Sequence, residues 1–444
     1  MANHSYPLHP DSAIYMGIDA GTSGMRACCI DEHANLLVQA DVPFPGPKVN
    51  GKEISQDPAI WSTALFELIQ HLNERISFEQ LKSIAIDGTS GTVFFCDAKG
   101  HPTSDALMYN DARSGLQVAQ LKTIADNTTV QSVSAGLPKL MWLTDNTAQD
   151  NATTIMHQAD WLNFQLTRTL DHSDVNNCLK TGYDPVHHQW PNWFEQLPAL
   201  HDRLPRVYKP GEPMGKIDSG VANQLNMPSD VKIIAGTTDS HAAILATGIS
   251  QPGEAVTSLG STLVVKVISE TPIFNEQYGI YSQPFGENWL VGGGSNSGGA
   301  VLRDYFDDLQ MEKLSQHMNP QQDTELNYYP LLKAGERFPV NDPTLAPRLT
   351  PRPDNDVTFL QGLFEGIARI EYNAYQKLAE LGAPYPSIIY TAGGGAKNPT
   401  WTQIRQRYCQ TNIKQSQYTE ACYGCALLAM QGVRKKLETK IKTN

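Results

Sequence analysis

The sequence predicts a two-lobed α/β protein, and three observations carry the prediction. The chain has 444 residues with 40% hydrophobic content, enough for more than one core when domains run ~100–200 residues. A strand, a glycine turn and a second strand around Gly21 recur in layout around Gly260. Two acidic turns, Asp19-Ala20-Gly21-Thr22-Ser23-Gly24 and Ala235-Gly236-Thr237-Thr238-Asp239-Ser240, each follow an apolar run.

Taken in order, Ile14 to Ile18 reads as a strand, Met25 to Ile30 as its return and Leu36 to Val42 as a third strand. That is an antiparallel meander, not the strand–turn–helix of a Walker loop. Asp57-Pro58 starts a helix, with Asp57 as N-cap and Pro58 at the first position. Trp61, Leu65, Leu68, Ile69 and Leu72 fall on one face of it. Ser83 to Asp87 is a short strand ending in Asp87-Gly88-Thr89-Ser90-Gly91-Thr92, and Val93 to Cys96 resumes extended structure. Read along the chain, Lys232 to Asp239 opens the second half, with a helix starting near His241. Ala255 to Ser258 and Leu263 to Ile268 flank the turn Leu259-Gly260-Ser261-Thr262. Phe359 to Leu381 is an amphipathic helix stopped by Gly382 and Pro384. Ser387 to Ala392 is a strand running into Gly393-Gly394-Gly395, and Asn398-Pro399 starts the next helix. Asp342 to Pro353 is a Pro-rich loop. Gly-Ser/Thr turns are common, so the layout alone leaves duplication and chance both open.

Net charge is −12 and charged residues make up 18%, which argues against broad nucleic-acid binding. No apolar run approaches the ~20 residues needed to cross a bilayer. Met1 to Ser12 is polar and does not read as a secretory signal, which suggests a short flexible extension. Seven cysteines in a chain this long do not form a disulfide framework, and the cytoplasm is the simplest placement. Cys422 and Cys425 form a C-x-x-C inside a helix from Thr419 to Met430 rich in small residues. With no second Cys/His pair at metal spacing, close packing is the preferred reading.

The turns offer specific chemistry. Asp19, at a strand end, suits Mg²⁺ held through water, and Gly21, Thr22, Ser23 and Gly24 let the backbone approach a phosphate. The plain alternative is a hairpin with an Asp at its start. Asp239 suits a base that takes a proton from an alcohol, or equally an N-cap of the following helix. Gly260-Ser261-Thr262 is a second N–H and hydroxyl cradle. Gly292-Gly293-Gly294-Ser295-Asn296 and Gly393-Gly394-Gly395-Ala396-Lys397-Asn398 each precede a helix, where a nucleotide can be received. Together these predict an ATP-dependent kinase acting on a hydroxyl group, built from two facing halves.

The same residues carry a resemblance. The order of Asp19-Ala20-Gly21-Thr22-Ser23, Asp87-Gly88-Thr89-Ser90-Gly91, Tyr109-Asn110-Asp111-Ala112-Arg113, Lys139-Leu140-Met141-Trp142-Leu143, Gly236-Thr237-Thr238-Asp239, Ser258-Leu259-Gly260-Ser261-Thr262 and Thr391-Ala392-Gly393-Gly394-Gly395-Ala396-Lys397-Asn398 resembles the FGGY carbohydrate kinases from about Ile14 to about Gly432. Within that family the likeness is to the D-ribulose kinases of cyanobacteria and chloroplasts, which are xylulose kinase-like. The resemblance implies two duplicated ribonuclease H-like lobes of the actin/hexokinase type with a central cleft. Residues 1–246 form the N-terminal lobe, with 420–444 packing back on it, and 247–419 form the nucleotide-binding lobe. It implies ATP and Mg²⁺ as cofactors and phosphorylation of a ketose, D-ribulose to D-ribulose 5-phosphate. D-xylulose, sedoheptulose or a polyol stay open as substrates, as does a catalytically silent nucleotide- or sugar-binding protein. An actin-like or chaperone ATPase is disfavoured, because no substrate-binding domain follows the nucleotide core.

By the same resemblance Asp239 is the base, and Asp19 and Thr22 complete the catalytic set. Asp19, Ser23, Gly24, Thr89, Ser90, Asp239 and Ser240 meet the sugar. Gly21, Thr22, Gly260, Ser261, Thr262, Asn296, Gly394, Gly395 and Asn398 meet the nucleotide. Asp19 and Asp239 face the metal, and the protein is a monomer or homodimer. Many xylulose kinases carry Gly-Gln-Met-His-Gly where this chain has Gly88-Thr89-Ser90-Gly91-Thr92, so a ring is lost at Gly91 and short hydroxyls replace it. Tyr109 stands where many relatives have Trp. For Asp111 and Arg113 mutual pairing is preferred over sugar contact, for Trp142 a core position is preferred, and Lys139 is ambiguous.

Overall fold

A computed structural model describes residues 12–126, 128–147 and 154–442. The extension from Met1 to Asp11 lies outside them. The chain divides into two compact units, residues 1–246 with 420–444, and residues 247–419.

The first unit is built on strands β1 (Ile14–Ala20), β2 (Gly24–Ile30), β3 (Leu36–Pro43), β4 (Leu81–Gly88), β5 (Pro213–Lys216) and β6 (Lys232–Ile234), in the order β5-β6-β4-β1-β2-β3. β1, β2 and β3 form the expected antiparallel meander, and β4 and β6 then join parallel to β1. Period-two alternation sorts the side chains of β1 onto two faces, and both are buried. Ile14, Met16, Ile18 and Ala20 of β1 share a core with Ile84 and Ile86 of β4 and with Trp61, Leu65, Leu68 and Ile69 of helix α1 (Pro58–Asn73). Asp57 caps α1 through its side chain, which accepts from the Ala59 N–H.

The opposite face of β1 carries Gly17. A Cβ there would stand 1.9 Å from the Cys422 carbonyl oxygen and 2.2 Å from the Ala426 nitrogen. The glycine lets the C-terminal helix (Ala421–Lys442) lie directly on the strand. That helix meets helix α3 (Asp239–Ala246) just as closely, since a Cβ on Gly424 would fall 1.9 Å from the Ala242 carbonyl. The C-x-x-C is therefore a packing surface, and all seven cysteines are free and buried. Between β4 and β5 lie helix α2 (Gly136–Asn146) and the strands Val93–Cys96 and Thr154–His157, which belong to a second sheet with Lys48–Asn50 and Glu53–Gln56 from before β4.

The second unit repeats the plan. Its strands are β7 (Glu254–Leu259), β8 (Leu263–Ser269), β9 (Tyr281–Phe285), β10 (Asn288–Ser295), β11 (Ile388–Ala392) and β12 (Asn412–Gln415), in the order β9-β10-β8-β7-β11-β12. β7, β8 and β10 form an antiparallel meander, and β11 and β12 follow parallel to β7. Setting aside one antiparallel edge strand in each sheet, both have spatial order 3-2-1-4-5 with the same polarities. This is duplication in topology where the sequence offered only a weak likeness of turns. The core around β7, β8 and β11 is covered by the long helix α6 (Asp356–Glu380) and by α7 (Pro399–Cys409), and α4 (Gly299–Arg303) and α5 (Asp308–Ser315) follow β10 in the chain. Beneath α7, Trp401 stacks on Phe364 at 4.6 Å and 6°.

Pairing corrects one expectation. Lys232 to Asp239 does not open the second half: β6 lies beside β4 as the fifth strand of the first unit. The helix after it starts at Asp239, two residues earlier than expected.

Candidate active site

In the first unit three parallel strands lie side by side, and each ends in an acidic turn. Asp19 at the end of β1 is the direct register partner of Asp87 at the end of β4. One residue further, Gly88 bridges to Thr238, which sets Asp239 beside them. Carboxyl ends of adjacent parallel strands are where open α/β sheets receive ligands. Asp19 and Asp239 are therefore neighbours within one unit, not partners from two facing halves. Asp87, quoted from a motif but given no role in the sequence reading, stands between them. Its signal was present in the sequence, since it too ends an apolar strand in Gly and hydroxyl residues.

Burial separates the three carboxyls. Asp19 and Asp239 are half-buried and Asp87 is fully buried. Burial pushes the Asp239 carboxyl up to about 6; the Ser240 N–H holds it down, Asp19 raises it and the Lys180 ammonium lowers it. Burial also raises Asp19, while a hydrogen bond from Asp87 and the charge of Arg26 act the other way. Asp87 is raised well above the carboxylate range, first by burial and then by the charges of Asp19 and Asp239. Its Oδ2 accepts from the Cys425 thiol at 3.2 Å. A neutral acid thus sits beside two ionisable carboxylates, the pattern expected when like charges crowd a low-dielectric site. Asp239 is not an N-cap: it is the first residue of α3, and its Oδ1 accepts from the adjacent Ser240 N–H at 2.6 Å. A cap would accept two or three residues on.

The turns around these acids are fixed from behind. Gly21 N–H donates to Gly24 O at 3.0 Å, and Phe44 N–H donates to Ser23 O at 3.0 Å. Gln56 Nε2 donates to Thr22 O at 3.4 Å. Gln158 joins two turns, donating to Gly21 O at 3.4 Å while its Oε1 accepts from Thr89 N–H at 2.9 Å and Thr89 Oγ1 at 2.7 Å. Nothing in the sequence marked Gln158, because its partners lie about 70 and 140 positions away, beyond any local pattern. The hydroxyls of Thr22, Ser23, Ser90 and Ser240 form no hydrogen bond to the described residues, so they remain available to a ligand. Thr89 differs. It is buried, and its hydroxyl is engaged by Thr92 at 2.6 Å and by Gln158; it braces the turn from inside. Gly91 holds φ +89, and a Cβ there would meet Ser134 O at 2.6 Å.

Lys139 is fully buried, and its Nζ donates to the carbonyls of Gly91 at 2.8 Å, Tyr109 at 3.1 Å and Ser134 at 3.3 Å. Burial and the neighbouring Lys180 pull its ammonium down to about 7. Its role is to gather three loops. Arg113 pairs with Asp111 at 2.8 Å, and Asp111 also accepts from Ile54 N–H at 2.6 Å. The pair is structural, and Arg113 lies over the half-buried Trp142 ring at 4.8 Å.

In the second unit a cavity of about 480 Å³ opens between α5 and the glycine turn after β11, with walls that include Leu259, Leu302, Arg303 and Met311. Gly394, Gly395 and Asn398 all line it. Asn398 caps α7 by accepting from Trp401 N–H, and its amide donates to Ser315 Oγ at 3.0 Å. Gly260, Ser261 and Thr262 form the β7–β8 turn but do not line the cavity. Gly260 O and Ser261 O accept from Gly299 and Ala300 N–H at 2.9 and 3.1 Å, and Arg303 donates to Ser261 Oγ at 3.2 Å. Asn296 is also apart from the cavity. Its amide nitrogen donates to Gly335 O at 3.0 Å and its side-chain oxygen accepts from Arg337 at 2.7 Å.

Two units with one 3-2-1-4-5 plan, an acidic strand-end cluster in the first and a glycine-lined cavity in the second, define a phosphotransferase-type two-unit α/β protein. Residues 14–246 match the FGGY family of carbohydrate kinases, N-terminal domain, and residues 255–432 match the C-terminal domain of that family. The chain belongs to the FGGY carbohydrate kinases, and it is an ATP-dependent sugar kinase. A xylulose kinase of Staphylococcus epidermidis is 23% identical over 450 residues, covering 95% of this chain and 88% of its own length. A xylulose kinase of Bacillus subtilis is 22% identical over 446 residues, covering 94% and 88%. The crystal structure of a xyloylose kinase from Brucella ovis shares the fold with a TM-score of 0.86 at 21% identity, covering 95% and 91%. Plasmodium falciparum glycerol kinase with ADP does so with a TM-score of 0.83 at 19%, covering 96% and 90%.

Proposed function

We propose that the chain transfers the γ-phosphoryl group of ATP to the primary hydroxyl of a ketopentose, D-ribulose to D-ribulose 5-phosphate, with Asp239 as general base. The observation that carries the reading is Asp239 itself, half-buried at the carboxyl end of the sheet with its carboxyl pushed up to about 6. It is ionised at neutral pH, yet more basic than an ordinary carboxylate, as proton removal requires. Asp19 and the free hydroxyls of Thr22, Ser23, Ser90 and Ser240, on the turns that follow the three strands, offer oxygens that suit a sugar. Gly24 closes the turn that presents them. The second-unit cavity supports nucleotide binding through Gly394, Gly395 and Asn398 and its apolar walls, which suit a base.

The site also fits Mg²⁺. Among the described residues no three His, Cys, Asp or Glu side chains come together to hold a metal directly, and Mg²⁺ prefers to keep much of its water. Asp19, with Asp239 nearby, would hold the ion through that water. When bound, the ion neutralises phosphate charge. D-ribulose is preferred because the Thr89-Ser90-Gly91 turn presents the Ser90 hydroxyl and no ring. D-xylulose is the second reading, favoured by the names of the relatives above.

The test is a coupled ADP-release assay with MgATP and a panel of D-ribulose, D-xylulose, sedoheptulose and polyols. D-ribulose should give the highest kcat/KM. A clear lead for D-xylulose would move the substrate and leave the reaction class standing.

A further inference from the structure

Lys180 is a half-buried cation that forms no hydrogen bond or ion pair with any described residue. Its position is nevertheless fixed from both sides. It sits in a single 3₁₀ turn, Leu179–Thr181. Leu179 O accepts from Thr129 Oγ1 at 3.2 Å, and Thr181 Oγ1 is hydrogen-bonded to His157 Nε2 at 2.8 Å. The short helix just before it is tied to the Asp239 turn, because Asn176 Nδ2 donates to Thr237 Oγ1 at 2.9 Å and Asn177 Nδ2 donates to Thr237 O at 3.3 Å. The lysine stem passes over the sugar-side turn, where its Cδ would lie 3.7 Å from a Cβ placed on Gly91. The ammonium lies close enough to act electrostatically on both Asp239 and Lys139. An unpaired cation is costly to bury partway unless something meets it.

We infer that Lys180 is a sugar-binding residue, whose ammonium donates to the oxygens of the ketose while the primary hydroxyl of that sugar faces Asp239. The inference rests on the sugar-kinase reading above and adds a contact that none of the strand-end turns supplies. An ammonium has three donors and no acceptor, so it complements the carbonyl and hydroxyl oxygens of an open-chain ketose, and Asp239 accepts on the other side. The charged groups that face Asp239 are Asp19, Asp87 and Lys180. Lys180 is the cation among them, so it also favours the ionised base.

The experiment measures D-ribulose binding by calorimetry in the Asp239→Asn background, where no turnover interferes, with and without Lys180→Met. Loss of a charged hydrogen bond should weaken sugar binding by about 10- to 100-fold. Lys180→Arg should recover part of the loss, and ATP binding should stay unchanged in both variants, which also shows that they are folded. An unchanged D-ribulose dissociation constant in Lys180→Met, or no binding of D-ribulose to the wild-type chain, overturns the inference. Full turnover in Asp239→Asn is a different failure: it removes the base assignment and leaves the binding comparison readable.

Discussion

Asp239 and Asp87 are one residue type in two electrostatic states, and each state has a measurable consequence. If Asp239 must be ionised to accept a proton, kcat/KM for the sugar falls as pH drops through about 6, by about tenfold per unit once well below it. An acid limb at the ordinary carboxylate value near 4 would place the base elsewhere. Asp87 makes the opposite demand. A carboxyl whose folded pKa lies above its unfolded value takes up a proton on folding, so its contribution favours the fold at low pH and is lost as pH rises through the folded value. Asp87→Asn removes that linkage and keeps an oxygen for the Cys425 thiol. Its melting temperature should exceed wild type near pH 8, and the gap should close toward about pH 4, where the unfolded carboxyl protonates. A variant less stable than wild type at both pH values would mean that Asp87 is held as a carboxylate.

At the scale of elements, the fold depends on one helix lying on one strand at backbone contact. The C-terminal helix reaches β1 because Gly17 has no side chain, and it reaches α3 because Gly424 has none. Gly17→Val should destabilise the first unit by about 3 kcal/mol or more, since the atoms it meets are backbone and cannot step aside. Urea unfolding measures it, and a wild-type midpoint would contradict the packing. The outlines of such elements were readable locally. The Asp57-Pro58 and Asn398-Pro399 caps, the apolar run of β1 and the glycine hairpins are all short-range signals, and the helices and strands they mark start where those signals put them to within a few residues. What escaped was long-range. The side-by-side placement of Asp19, Asp87 and Asp239 at three strand ends depends on β4 inserting between β1 and β6. The internal engagement of Thr89 depends on Gln158, the separation of Asn296 from the cavity depends on Arg337 and Gly335, and none of these partners is near in sequence.

At the scale of the whole molecule, the same 3-2-1-4-5 sheet serves two chemistries. The first unit ends its parallel strands in carboxylates, and the second ends β11 in glycines that open a cavity. The division predicts separable effects. A side chain at Gly394 would meet no atom within 4 Å and would project into open space at the cavity. Gly394→Val should therefore raise KM for ATP by about tenfold, a loss of about 1.4 kcal/mol, with KM for the sugar unchanged. A matching rise in the sugar KM would deny the second-unit cavity its role as the nucleotide site.

The most direct test of the central claim is sugar-dependent ADP release by wild type and Asp239→Asn at neutral pH, with ATP binding measured in parallel. Turnover in the variant should fall by about 10²–10⁴-fold while ATP still binds. Wild-type turnover from Asp239→Asn would contradict that claim.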